Sequence, residues 1–213
     1  MEFISEALAT YCENHTSPES DLLKLVSRET HLKVLRARML SGHLQGRTLS
    51  LFSKMINPKY VLEIGTYTGY SALCMAEGLQ ADGKLITIDI NEELEDFVQD
   101  FFNQSPYKNQ IEYKIADAIE LIPTLKYDWD LVFIDADKIN YINYYNLLID
   151  NLKSGAYIIA DNVLWSGKVV EPVSAKDKDT QLLLDFNKLI QNDERVENLL
   201  LPIRDGLMIL RKK

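Results

Sequence analysis

Cysteine and histidine are scarce, at two Cys and three His in 213 residues. Cys12 and Cys74 lie far apart and make no Cys-x-x-Cys pair, so no disulfide framework is available and a reducing, cytoplasmic setting is expected. His15, His31 and His43 fall in the N-terminal fifth without metal-ligand spacing, and each is expected to be a surface or interface residue. Positive charge is also in deficit. Lys and Arg number 23 against 32 Asp and Glu, a net charge of −9, which argues against a general nucleic-acid binder because that needs a basic face. No apolar run approaches the roughly 20 residues of a membrane span. The opening stretch, MEFISEALATYCENHTSPES, begins with an acid rather than a basic n-region, so no signal peptide is expected. Repeats, low-complexity segments and linkers are absent.

What is present is an ordinary soluble composition, 46% apolar and 26% charged, in a chain long enough for one full core. One domain over 1–213 is expected, with N-terminal helices over 1–56 and an α/β core over 57–213. Thr16-Ser17-Pro18-Glu19 reads as a helix start, and Leu22, Leu23, Val26, Leu32, Leu35 and Leu40 recur at roughly helical spacing behind it. Short apolar strands then alternate with helical stretches, at 60–64, 85–89, 111–115, 131–134 and 156–160. Strands apolar on both faces suit a parallel sheet covered by helices on each side. The end differs. NLLLPIRDGLMILRKK reads as two strands around Arg204-Asp205-Gly206, a hairpin expected to run antiparallel to the rest, after a final helix near 180–191.

In an open α/β sheet, ligands bind beyond the carboxyl ends of the strands. The first strand runs into Gly65-Thr66-Tyr67-Thr68-Gly69. This turn lacks both the GxGxxG of a dinucleotide site and the lysine of a phosphate loop, so it is not expected to face a pyrophosphate. The second strand ends in Asp89, an acid placed to accept both hydroxyls of a ribose. After the third strand comes Asp117, whose carboxylate suits an adenine amino group or, equally, the cap of the next short helix. Adenosine without phosphates, with a zwitterionic tail at the first turn, describes S-adenosylmethionine.

The fourth strand ends at Asp135 and the fifth at Asp161-Asn162. Neighbouring strands lie about 5 Å apart, so these side chains can converge. Two carboxylates and an amide form an all-oxygen set suited to Mg²⁺ rather than zinc. Any one acid alone is better explained as a helix cap or crevice lining; it is the set at consecutive strand ends that favours an ion. Lys138, one turn beyond Asp135, is a solvated loop lysine or, beside a metal and a second desolvated charge, a base; pairing with Asp137 would oppose the second role. Helix packing explains Tyr141, Tyr144 and Tyr145 as well as ligand stacking does, whereas Trp165, in a loop with Gly167, is the candidate contact for an aromatic substrate.

Together VLEIGTYTGYSAL, ITIDI, FIDADKINY and ADNVLWSGKV resemble the cation-dependent O-methyltransferases, the catechol and caffeoyl-CoA group, from about Met39 to the C-terminus. The resemblance implies a Rossmann-like class I methyltransferase fold, a mostly parallel seven-stranded sheet ending in an antiparallel hairpin, with extra N-terminal helices. It implies a donor pocket of Met39, Ser41, Glu63, Gly65, Tyr67, Gly69, Ser71, Asp89, Asp117, Ala118 and Asp135. It further implies Mg²⁺, or Mn²⁺ or Ca²⁺, on Asp135, Asp161 and Asn162, with Lys138 as the catalytic base and a homodimeric assembly. There are departures. Animal catechol enzymes carry a substrate-contacting glutamate where Leu199 stands, and a His-Trp pair where this chain has Ala136-Asp137. The acceptor side is therefore more similar to the bacterial and caffeoyl-CoA branch. The expected reaction is methyl transfer to one hydroxyl of a vicinal aromatic diol. Methylation of a hydroxylated uridine in transfer RNA is the alternative, which the acidic balance disfavours. A non-catalytic donor-binding domain and an NAD-dependent oxidoreductase fit the motifs less well.

Overall fold

The computed structural model describes residues 4–213, so the first three residues of the expected helical segment 1–56 lie outside the described residues. Two helices open the described chain, α1 (Glu6–Asn14) and α2 (Asp21–Lys33), each started by a serine whose side chain accepts a backbone N–H three residues on. The α2 cap is Ser20, not the Thr16 region, because Ser20 Oγ reaches Leu23 N at 3.3 Å while Thr16 Oγ1 bonds back to Cys12 O. Leu23 and Val26 of α2 are buried, but Leu32 and Leu35 are not: Leu35 is 89% exposed. The helix ends at Lys33 and Arg36 takes a left-handed backbone, so the helical spacing breaks before Leu35.

The core alternates as expected: α3 (Gly42–Ile56), β1 (Tyr60–Ile64), α4 (Tyr70–Ala76), β2 (Lys84–Asp89), α5 (Glu95–Gln104), β3 (Ile111–Ile115), α6 (Ala118–Leu121), β4 (Leu131–Ile134), α7 (Tyr141–Ile149), β5 (Tyr157–Ala160), α8 (Lys178–Asn192), β6 (Val196–Leu201) and β7 (Leu207–Lys212). Successive strand side chains point to opposite faces, and both faces are buried. Leu62, Ile64, Ile86, Ile88, Val132 and Ile134 pack under α6, α7 and α8. Val61, Leu85, Leu131, Phe133 and Ile159 pack under α2, α3, α4 and α5.

The strand order is β3-β2-β1-β4-β5-β7-β6, and β1 to β5 pair in parallel. The order reverses between β1 and β4, the crevice where such sheets take ligands. β7 pairs antiparallel with both β5 and β6. The hairpin is thus antiparallel within itself, but only β7 runs against the sheet; β6, reversed twice, points the same way as β1. The register levels the strand ends, aligning Ile64 with Ile88 and Ile134, and Ile134 with Ala160. One position further, Gly65, Asp89, Asp135 and Asp161 stand in a row across the carboxyl edge. No described helix is long and apolar enough to cross a membrane.

Candidate active site

The β1–α4 turn is built on close backbone approach. Gly65 has φ +100°, and a Cβ there would overlap the carbonyl oxygen of Asp135. Gly69 has φ +80°, and its Cβ would meet the Phe102 ring at 2.7 Å. Both positions therefore demand glycine, sterically and conformationally. Between them Tyr67, at φ 49°, donates its N–H to Asp89 Oδ2 at 2.7 Å, so the acid closing β2 holds the turn. Asp89 Oδ1 accepts from Asn91 N at 2.9 Å. The Tyr67 hydroxyl donates to Leu35 O at 3.1 Å, tying the turn to the segment that carries Met39 and Ser41. Ser41 is buried and Met39 half exposed.

Glu63 is fully buried beneath this turn, with oxygens 2.5 Å from Ser71 Oγ and from Thr87 Oγ1. Burial pushes its carboxyl up to about 8; the two hydroxyls oppose this, and the Asp135 and Asp89 charges add to it. Ser71 Oγ donates to one Glu63 oxygen and Thr87 Oγ1 to the other, and Thr87 Oγ1 lies 2.5 Å from Thr66 Oγ1. Asp117 sits outside this cluster. It is exposed and accepts from Ile119 N at 2.8 Å, which makes it the cap of α6, with Ala118 buried behind it.

On the other side of the crevice Asp161 is 3% exposed. Its Oδ1 accepts from Asn162 N at 2.6 Å, and its Oδ2 from Gln45 Nε2 at 2.5 Å. Burial, then the neighbouring Asp135 charge, push its carboxyl up to about 7, against Gln45, Lys138 and the Asn162 N–H. Lys138 reaches into the same cluster. Its Nζ lies 2.8 Å from Asn162 Oδ1, 2.5 Å from the Tyr141 hydroxyl and 3.5 Å from Asp135 Oδ1, with the Trp165 ring centre at 5.9 Å. Lys138 does not pair with Asp137. Asp137 instead accepts from the Tyr144 hydroxyl at 2.6 Å and Asn140 Nδ2 at 2.7 Å, which leaves Lys138 to Asp135. Tyr141 is packed in the core, yet its hydroxyl also donates to Asp161 O at 3.0 Å, so it serves both packing and the site.

The donor set fits a hard divalent cation. Asp135 and Asp161 stand at neighbouring strand ends, the second buried and the first partly exposed, and Asn162 adds a neutral oxygen. Among the described residues no group of three or more His, Cys, Asp or Glu side chains is placed to hold a metal, and the further side-chain oxygen in this corner is that of the Asn162 amide, 2.8 Å from Lys138 Nζ. One lysine supplies a single positive charge against two carboxylates.

Three side chains that support the site carry no functional signal in the sequence, and two of them, Arg204 and Asp205, read there only as part of a hairpin turn. Gln45 is polar on the buried face of α3, beside Gly46, Leu49, Ser50 and Ser53, and that run of buried polar positions was its only signal. Arg204, at the hairpin turn, donates to Leu40 O at 2.8 Å and to Ser41 O. Asp205 accepts the N–H of Ser166, and its carbonyl accepts Leu164 N at 2.9 Å, pinning the Asn162–Trp165 loop.

A crevice of this build, on this strand order, can be compared with known proteins. The O-methyltransferase family model matches residues 13–213, so the chain belongs to the O-methyltransferase family. Over 179 residues it is 37% identical to caffeoyl-CoA O-methyltransferase 2 of Eucalyptus globulus, covering 79% of this chain and 72% of that one. The structure superimposes on an O-methyltransferase from Bacillus cereus in complex with SAH with a TM-score of 0.88, at 28% identity and 97% coverage of each chain. It also superimposes on the SAH-bound methyltransferase PaMTH1 of Podospora anserina with a TM-score of 0.89, at 26% identity, covering 98% of this chain and 94% of that one.

Proposed function

We propose that this chain transfers the methyl group of S-adenosylmethionine to one hydroxyl of a vicinal aromatic diol, with the aid of a divalent cation. The observation that carries this is the row Gly65–Asp89–Asp135–Asp161, which sets the glycine turn at backbone contact with the strand bearing the first oxygen ligand. Likeness to caffeoyl-CoA O-methyltransferases and to SAH-bound structures supports the donor and the acceptor class.

Glu63, Gly65, Tyr67, Gly69 and Ser71 would line the methionine part of the donor, with Met39, Ser41 and Asp135 also lining its pocket, Asp89 its ribose, and Asp117 with Ala118 the adenine side. Asp135, Asp161 and Asn162 would hold the ion, Mg²⁺ first and Mn²⁺ or Ca²⁺ as substitutes. Bound there, the ion supplies Lewis acidity to the diol oxygens. Lys138 would take the hydroxyl proton, a step open only to its unprotonated form. The oxygen then forms its bond to the methyl carbon as the sulfur–carbon bond breaks, and S-adenosylhomocysteine leaves. Trp165 would stack on the acceptor ring. Much of the rate comes from fixing donor and acceptor in line. Leu8 and Tyr11 on α1 and Leu51 and Met55 on α3 are exposed apolar groups suited to a homodimer contact.

The test uses labelled donor with a panel of catechols, caffeoyl thioesters, isolated phenols and undermodified transfer RNA, with and without a chelator. Diols are expected to react only with the ion, and isolated phenols poorly. Full-rate methylation of catechol after chelation would overturn the metal reading, and selective labelling of transfer RNA would overturn the acceptor.

A further inference from the structure

Gln45 is a buried polar group to which the reaction above gives no task. It sits in the first turns of α3, 1% exposed, and comes 116 positions before Asp161 in the chain. Its Nε2 donates to Asp161 Oδ2 at 2.5 Å, while its Oε1 is buried with no hydrogen-bond partner. A half-satisfied buried amide costs free energy that a leucine or methionine of similar size would not. Packing therefore does not explain it.

The helix beneath it is rigidly seated. A Cβ on Gly46 would meet the Tyr70 ring at 2.6 Å and Cys74 Sγ at 2.9 Å, so α3 lies backbone-close on α4. One residue on, Arg47 forms a two-pronged pair with Glu77 at 2.7 and 3.0 Å, and Ser53 Oγ donates to Met75 O at 2.6 Å. Gln45 thus projects from a fixed base. Its target is equally constrained: Asp161 Oδ1 is already held by Asn162 N at 2.6 Å. With a donor on each oxygen, the carboxylate has one orientation before any ligand arrives, and outer partners of this kind set the affinity of metal-ligating carboxylates.

We propose that Gln45 is a positioning residue that orients Asp161 to ligate the divalent cation, and that its free Oε1 accepts from a water or hydroxyl entering beside Asp161. This rests on the metal reading under Proposed function. α3, from the N-terminal helical region, is thereby part of the ion site rather than only a cover for the sheet.

The experiment measures Mn²⁺ binding to chelator-stripped protein by electron paramagnetic resonance, without acceptor, for wild type, Gln45→Met, Gln45→Asn and Asp161→Ala. Methionine keeps the volume without the donor; asparagine keeps the amide but is one methylene short. Both are expected to raise the Mn²⁺ Kd about 10- to 100-fold, while S-adenosylhomocysteine affinity and thermal midpoint stay near wild type. If wild type binds Mn²⁺, Asp161→Ala loses it and both Gln45 variants bind as wild type, the positioning role is overturned and the metal reading stands. If wild type binds no Mn²⁺, the metal reading itself fails. Loss of fold in both Gln45 variants would assign the residue to core architecture and overturn the proposal.

Discussion

Replacing Glu63 by glutamine removes the one ionisable group buried under the glycine turn while keeping its shape and a hydrogen-bonding amide. Glu63 is fully buried and its carboxyl is pushed up to about 8 from an ordinary 4.5. A carboxyl raised in the folded state binds its proton more tightly folded than unfolded. Its contribution to stability is therefore complete below about pH 4.5 and is lost progressively as pH rises to about 8, where the folded group ionises too. Each tenfold difference in proton affinity between the folded and unfolded chain is worth about 1.4 kcal/mol, so the loss across that window is about 5 kcal/mol, a large share of a typical domain's stability. Glu63→Gln does not titrate, so the wild-type stability minus that of the variant should fall by this amount over the window. Urea unfolding followed by circular dichroism, at intervals from about pH 5 to about pH 9, reads the difference directly. A difference that stays flat would show that the carboxyl is already ionised when folded. The Ser71 and Thr87 hydroxyls would then outweigh burial, and the argument from desolvation would be wrong.

Gly65→Ala should lower stability by at least about 2 kcal/mol, from left-handed strain and the Asp135 carbonyl overlap together, and abolish S-adenosylhomocysteine binding by calorimetry; a variant with wild-type affinity would refute the close-approach argument. Glu77→Ala strands Arg47, whose side chain is only 12% exposed, so unfolding measurements should show a cost of about 3–5 kcal/mol. Lys138→Met should cut kcat by about 10²–10⁴-fold with donor affinity held; unaltered turnover at neutral pH would remove the lysine from proton transfer.

Much of this was legible in the chain because parallel strands buried on both faces leave short unbroken apolar runs. The runs at 60–64, 111–115 and 131–134 coincide with β1, β3 and β4, and β2 and β5 differ by one residue at their starts. The Arg204-Asp205-Gly206 turn was legible for the same kind of local reason, since Arg204 and Gly206 both take positive φ. Partner choice was not local. That β7 slots between β5 and β6 depends on which edge is free, and no spacing encodes it. Leu32 and Leu35 satisfied the helical period but lie where α2 ends and the chain turns outward. The strand-end acids were readable as a row because the register is level. Gln45 was not, because its significance depends on α3 crossing to the carboxyl edge of β5, a tertiary fact. Asp117 and Asp137 show the reverse: each found a local partner, one in its own helix and one in Tyr144.

The insertion of β7 also makes one strand the fastening for two others. Among the described residues β6 has no neighbour in the sheet except β7, and the loop after β5 is held by the carbonyls of Asp205 and Gly206 in the turn that joins β6 to β7. Whatever frees β7 from β5 therefore releases β6 and the Asn162–Trp165 loop together, while the parallel pairings of β1 to β5 stay intact.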